Sequence, residues 1–199
     1  MWRLLFVHGR KAYVNNSEII LYFLYKNLVM TLPHYFFAFN TGFSGTSFYE
    51  DWSITFYNLI FTNFPCAWRA IFDFDVSPEW DGNAVKPYMQ ELYFVGQMSL
   101  IFNKINYIKW FALAILHAAI VYFLPQFTFQ VSISSGYDGH ETDFSIMSMA
   151  SFSAVIYIVN IKVAILSRTI NYINCISIVG SMLIYYSWIW IGNYLVISF

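Results

Sequence analysis

The chain has 199 residues, of which 59% are hydrophobic, 22% aromatic and 11% charged, with a formal net charge of -1. A soluble domain carries roughly 25% charged residues, so this composition excludes one. The near-neutral charge leaves no electrostatic footprint for nucleic acid. Several apolar runs approach or exceed the ~20 residues a helix needs to cross a bilayer. The fold class is therefore an all-α membrane protein of about five transmembrane helices, with the aromatic load concentrated near the predicted boundaries, where Trp and Tyr favour the interface.

Residues 1–17 carry Arg3, Arg10 and Lys11 and read as a cytosolic lead-in to a transmembrane bundle over 18–199. Trp2–Val7 is too short for a signal-peptide core and His8–Lys11 has no small-residue cleavage site, so the first span is expected to act as its own insertion signal. That span covers about 18–39 and holds Lys26, Asn27, Thr31 and His34, with a break expected at Pro33. A short loop of turn formers, Asn40–Asp51, leads to a second span at about 52–72, containing Asn58, Thr62, Asn63 and Pro65. Residues 73–104 form the longest polar segment; their acids Asp73, Asp75, Glu79, Asp81 and Glu91 read as a solvated face. The third span, about 105–124, is expected to stop at Pro125; the fourth and fifth cover about 146–166 and 173–196. No internal repeat is present. Cys66 and Cys175 fall inside predicted spans, lack metal or redox spacing, and read as small packing residues.

Charge sets the topology. Setting Lys26 aside, the other basic residues are Arg3, Arg10, Lys11, Arg69, Lys86, Lys104, Lys109, Lys162 and Arg168, and all lie on alternate flanks of the spans. The loops at 40–51 and 125–145 carry acids and no Lys or Arg. By the positive-inside rule the N-terminus and the 73–104 loop are cytosolic. Five spans would then leave the C-terminus outside, with no polar tail after Phe199, which suggests a missing span.

The stretch Tyr22–His34 concentrates the unusual chemistry. A lysine near the bilayer centre costs roughly 2.5–3.5 kcal/mol on insertion scales. Pro33 removes a helix hydrogen bond and leaves the Val29 carbonyl without its usual donor. Asn27, Thr31 and His34 fall at i, i+4 and i+7 on one stripe, with Lys26 about 100° away. In the second span Thr55, Asn58, Thr62 and Pro65 line up in the same manner. Interrupted membrane helices with polar residues at mid-depth point to a transport path, because freed carbonyls can serve a solute there. The plainer readings are that Asn58 and Thr62 are interhelical glue, that Pro33 is only a kink, that Lys26 snorkels, and that His34 and His117 are hydrogen-bonded packing residues. No phosphate-cradling loop, metal spacing or paired nucleophile and base is visible, so the chain offers no catalytic residues and no metal site.

Leu5-Phe-Val-His-Gly-Arg10, Tyr22-Phe-Leu-Tyr-Lys-Asn27, Asn40-Thr-Gly-Phe-Ser-Gly45, Tyr49-Glu-Asp-Trp52, Tyr57-Asn58, Phe61-Thr62 and Phe72-Asp-Phe-Asp-Val76 occur in that order, followed by Glu91-Leu-Tyr93, Gly96-Gln97, Phe102-Asn103 and Trp110. The series resembles the C-terminal membrane region of the phospholipid flippases, the lipid-transporting (type IV) class of P-type ATPases. Beyond about residue 110 the resemblance rests on span count and loop placement. It implies that the first span corresponds to the family's fifth membrane helix and the rest to the sixth to ninth, with a cytosolic N-terminus. It also implies that Lys26 and Asn27 lie on the path of the lipid headgroup; the polar stripes and the proline break read from the residues add Thr31, Pro33, Asn58 and Thr62 to the expected lipid path. The exoplasmic loops would contact a two-span glycosylated accessory subunit, and ATP and Mg2+ would serve the complete protein. Lys11, Thr46 and Ala70 depart from the usual residues, which are an aromatic, a glutamine and a glycine; none touches Lys26. The actuator, nucleotide-binding and phosphorylation domains do not occur in this sequence, so activity is implied for a complete protein.

Two functions follow as expectations. The chain is part of an ATP-driven flippase moving phospholipid from the exoplasmic to the cytosolic leaflet, multi-pass in the plasma membrane or Golgi and endosomal membranes. Alternatively it is a free-standing, non-enzymatic scaffold or regulator derived from that region. An in-frame Asp-Lys-Thr-Gly motif upstream of Met1 separates the first from the second.

Overall fold

A computed structural model describes residues 8–73, 94, 96, 98, 100–131, 144–169 and 172–197. The described residues form helices and connecting turns, with no strand among them. Helix α1 runs Arg10–Asn40. The next stretch is wound in three pieces: α2 (Asp51–Phe56), a wide π turn (Tyr57–Phe61) and α3 (Asn63–Phe72). Helices α4 (Lys104–Val131), α5 (Phe144–Leu166) and α6 (Tyr172–Ile197) complete the bundle. Three helical segments, Lys104–Thr128, Phe144–Leu166 and Tyr172–Gly192, are long and apolar enough to cross a membrane. Leu116, Leu124, Ile165, Ile176, Leu183 and Trp190 point outward from them, as lipid-facing residues do. The chain is an all-helical membrane protein.

Helix α1 is the spine of the core. Its buried residues Tyr22, Tyr25, Lys26, Val29, Met30, Pro33 and Phe37 recur at helical spacing on one face. That face packs chiefly on α4, where Ala114 and Ala118 are fully buried and let the two backbones approach closely. Asn40 donates to the Tyr122 hydroxyl at 2.6 Å, joining the end of α1 to α4. After α1 the chain reverses through Gly42 and Phe43, both at positive φ near 60°, with the Phe43 N–H returning to the Ala38 carbonyl at 2.9 Å.

Two expectations about proline are corrected. Neither Pro33 nor Pro125 ends its helix: α1 continues to Asn40 and α4 to Val131. In α4 the reason is visible. Pro125 withholds an N–H from the Val121 carbonyl, and Ser151 of α5 donates to that carbonyl at 3.2 Å instead. The same substitution recurs at Pro65, which leaves the Phe61 carbonyl for Asn160 of α5 at 3.5 Å. The second span, expected as one helix, is split by the π turn, in which the Thr62 N–H reaches back five residues to the Tyr57 carbonyl at 3.2 Å.

At the end that charge assigns to the cytosol, polar residues join three elements. The Asp73 carboxylate, expected on a solvated face, is 1% exposed. It accepts from the Thr169 N–H at 3.0 Å, the Thr169 hydroxyl at 2.9 Å and the Arg168 N–H at 3.2 Å. Arg69 Nε faces it at 3.5 Å, too far for a hydrogen bond but close enough to pair charge. Arg69 also pairs with Glu18 of α1 and donates to the Leu166 carbonyl at 3.0 Å, satisfying the C-terminal end of α5. Glu18 binds Arg168 at 2.8 Å as well. Asn15 and Lys11 of α1 donate to the carbonyls of Ala70 and Ile71 at 3.3 and 2.7 Å, satisfying the end of α3. A loop acid is buried here because it caps the α5–α6 turn and neutralises a buried arginine. The remaining acids of that loop, Asp75, Glu79, Asp81 and Glu91, lie outside the described residues.

Removing one partner of such a buried pair leaves an uncompensated charge, at about 3–5 kcal/mol. Asp73→Ala should therefore cause a marked fall in unfolding temperature in detergent micelles. Asp73→Asn, whose amide oxygen still accepts from Thr169, should lose less.

Candidate functional site

Lys26 lies in the middle of the buried face of α1 and is 1% exposed, so it does not snorkel. Its ammonium has three protons and no acceptor capacity. Two find oxygen: Nζ donates to Thr62 Oγ1 at 3.0 Å and to Asn63 Oδ1 at 2.8 Å. The ammonium also lies over the Phe23 ring, 4.4 Å from its centroid, with Tyr57 at 5.9 Å. The chain thus solvates this cation internally.

The bonds form a closed circuit. Thr62 Oγ1, accepting from Lys26, donates to the Tyr57 carbonyl at 2.7 Å. The Tyr57 hydroxyl donates to the Lys26 carbonyl at 2.9 Å. Helix α1 and the π turn therefore hold each other through both side chain and backbone. The wide turn is what makes this possible. It presents the Tyr57 carbonyl to the Thr62 hydroxyl and places Thr62 and Asn63, at the junction with α3, against Lys26.

The other residues expected at the site separate into two groups. Thr62 and Pro33 are buried with Lys26. Asn27, Thr31 and Asn58 are exposed on the outer faces of α1 and the π turn. Thr31 donates back to the Asn27 carbonyl at 2.8 Å, within its own helix. His34 Nδ1 donates to the Met30 carbonyl at 3.3 Å, and the ring sits edge-on to Tyr49, centroids 4.7 Å apart. Pairing Asn27 with Thr31 and His34 as a polar stripe predicts a shared surface, and the first two residues do face outward. Thr55 is likewise exposed.

Sequence reasoning passed over several residues. Asn63 is a direct ligand of the ammonium, and Asn160 is fully buried beneath the π turn. His117 of α4, by contrast, fits its reading as a hydrogen-bonded packing residue, its Nδ1 meeting the Tyr25 hydroxyl at 2.5 Å; Lys162 of α5, expected only as a flanking charge, lies 4.8 Å over the Trp110 ring. Asn160 carried a readable signal, being an asparagine in the middle of an apolar span. Asn63 did not, since its partner lies 37 residues away. Cys66 is buried and Cys175 exposed, both as free thiols. Among the described residues no three His, Cys, Asp or Glu side chains converge.

A lysine held by oxygen ligands at the core of a helical membrane bundle with an interrupted helix beside it is costly to bury and rarely found without a specific partner. The model of the family described as phospholipid-translocating P-type ATPase C-terminal matches residues 1–199, and the chain belongs to that family. It is 35% identical over 190 residues to the probable phospholipid-transporting ATPase IM of Homo sapiens, covering 93% of this chain and 15% of that protein. It is 32% identical over 185 residues to the phospholipid-transporting ATPase IC of Homo sapiens, covering 92% of this chain and 14% of that protein. It is 35% identical over 185 residues to the phospholipid-transporting ATPase FetA of Mus musculus, covering 92% of this chain and 15% of that protein. The chain thus spans about one-seventh of the length of these relatives, in agreement with a C-terminal membrane region.

The circuit sets an order of stabilities. Thr62→Val or Asn63→Leu strips an acceptor from a buried charge and should cost about 1–3 kcal/mol or more. Lys26→Met removes the charge together with its demand and should cost less than either. Unfolding temperatures of the three variants in one detergent test that ranking.

Proposed function

We propose that this chain supplies part of the lipid path of an ATP-driven phospholipid flippase moving lipid from the exoplasmic to the cytosolic leaflet. The observation that carries the reading is the Lys26 circuit with exposed asparagines directly adjoining it. Asn27 follows Lys26, and Asn58 follows Tyr57, so the contact between Lys26 and Tyr57 sets both amides at a similar level. Asn27, Thr31 and Asn58 offer donors and acceptors to a polar headgroup on the outside of the α1–π-turn pair. Lys26 supplies fixed positive charge behind them, which favours a phosphate without moving to meet it. Thr62 holds that charge in place. Pro33 weakens α1 above the circuit, so the upper helix can tilt while the lower part stays bolted to α3.

ATP and Mg2+ act elsewhere in the complete protein, and no step assigned to these residues runs through them. ATP energy would enter through the cytosolic end of α1, which is tied to α3 and to the α5–α6 turn through Glu18, Arg69 and Asp73. A two-span accessory subunit would meet the exoplasmic loops, of which Asn40–Asp51 is one.

The test uses the full-length protein reconstituted in vesicles. Lys26→Ala should lower lipid-stimulated ATP hydrolysis at least about tenfold, the equivalent of 1.4 kcal/mol in transition-state stabilisation. Asn27→Leu, on an exposed position, should weaken lipid stimulation while leaving the unfolding temperature unchanged. Unaltered lipid stimulation in both variants would contradict the reading.

A further inference from the structure

The Lys26 ammonium has three protons, and only two of them reach oxygen among the described residues, on Thr62 and Asn63. What covers the rest of the ammonium is aromatic. Nζ lies 4.4 Å from the centroid of Phe23, one turn earlier on α1, and 5.9 Å from that of Tyr57. Tyr57 is fully buried and bound through its hydroxyl to the Lys26 carbonyl, so its ring is fixed. Phe23 is held differently. It is half-buried, its ring has no polar atom to anchor, and it meets the Tyr22 ring edge-on at 6.3 Å.

The position of Phe23 along α1 matters as much as its contact. Phe23, Asn27 and Thr31 follow one another at i, i+4 and i+8, on one slanting stripe of the helix. Asn27 and Thr31 are exposed, and Phe23 is the next residue of that stripe toward the cytosolic end, about 6 Å from Asn27 along the axis. Its backbone thus belongs to the outer stripe while its ring reaches the buried charge. Long side chains on a helix use two χ1 settings, near 180° and near −60°, so a second ring position is open to a phenylalanine that is not enclosed.

We propose that Phe23 is a gate on Lys26: its ring covers the ammonium while the path is empty and yields that place to a phosphate oxygen of a headgroup arriving past Asn27. This rests on the lipid-path reading above and adds to it the residue that decides when the charge can be reached. The ring attracts the cation through its quadrupole and needs no countercharge, which suits an empty path. A phosphate oxygen makes a charge-assisted hydrogen bond with the third proton, a stronger contact than the ring provides. Exchange is therefore unfavourable without lipid and favourable with it, and the difference between the two contacts is what drives the ring aside. Phosphate is common to phospholipid headgroups, so the gate responds to the phosphodiester and not to the alcohol attached to it.

The experiment titrates the full-length protein in detergent micelles with phosphatidylserine, phosphatidylethanolamine and phosphatidylcholine in turn, and reads the half-saturation of lipid-stimulated ATP hydrolysis. Phe23→Leu removes the ring contact and should lower half-saturation by about three- to tenfold for each lipid that stimulates the wild type. Phe23→Trp, a stronger partner for a cation, should raise it. In the absence of lipid, the fall in unfolding temperature caused by Phe23→Leu should be smaller in a Lys26→Met background, where the ring has no cation to cover. Competition by glycerophosphoserine in Phe23→Leu would extend the exchange to any phosphodiester, and its absence would confine the exchange to a lipid; both sustain the gate. Half-saturation that is unchanged in both Phe23 variants, or that moves in the same direction in both, overturns the proposal, as does an equal fall in unfolding temperature in the two backgrounds. These outcomes leave the lipid path standing if Lys26→Ala still lowers lipid stimulation; if it does not, the path fails and the gate with it.

Discussion

A cation placed inside a membrane bundle must be solvated by the protein, and the local structure around Lys26 follows from that requirement. An ammonium there needs oxygen acceptors at hydrogen-bond distance, and a regular helix offers none, because its carbonyls are already paired along its own axis. The wide turn at Tyr57–Phe61 removes that obstacle. It frees a hydroxyl and an amide oxygen, from Thr62 and Asn63, to face α1. The return bond from Tyr57 to the Lys26 backbone then fixes the helix that carries the charge. Position, charge and local irregularity are thus one feature.

Helix α5 plays the complementary part. Prolines at 65 and 125 each deprive a carbonyl of its donor in a setting where water is absent. Asn160 and Ser151, on the same helix, supply the missing donors. A third residue of α5, Ser148, donates to the Phe48 carbonyl at 2.5 Å in the loop before α2. An apolar span with a few small polar residues therefore organises the irregular backbone of its neighbours. At the opposite end, Arg69, Asp73 and Glu18 tie α1, α3 and the α5–α6 turn together. The two sets of contacts bracket the Lys26 circuit, so a displacement of the lower end of α1 carries α3 with it.

Much of this was legible in the sequence, for identifiable reasons. Helix positions were readable from apolar runs and turn formers, and α5 and α6 begin and end within two residues of the expected limits. The importance of Lys26 was readable from its cost alone. What escaped was everything that depends on a partner distant in sequence. Helix continuity through Pro125 depends on Ser151, the burial of Asp73 depends on Thr169, and the chelation of Lys26 depends on Asn63. The polar stripe Asn27–Thr31 was found by helical spacing, but spacing cannot tell an outward face from an inward one. The lysine took the inward face, a quarter turn from the asparagine that follows it.

The central claim is that Lys26 and Thr62 are energetically coupled and hold α1 to the π turn. Cys66 lies one turn beyond Thr62 on α3 and is buried, so its thiol reports local opening there. With Cys66 as the sole cysteine, the rate of thiol modification should be measured in Lys26→Met, Thr62→Val and the double variant. Coupled residues predict that Thr62→Val speeds modification strongly when Lys26 is present and little when it is methionine, an interaction of about 1–3 kcal/mol. Effects that add within about 0.5 kcal/mol would show that the two residues act independently and contradict the account.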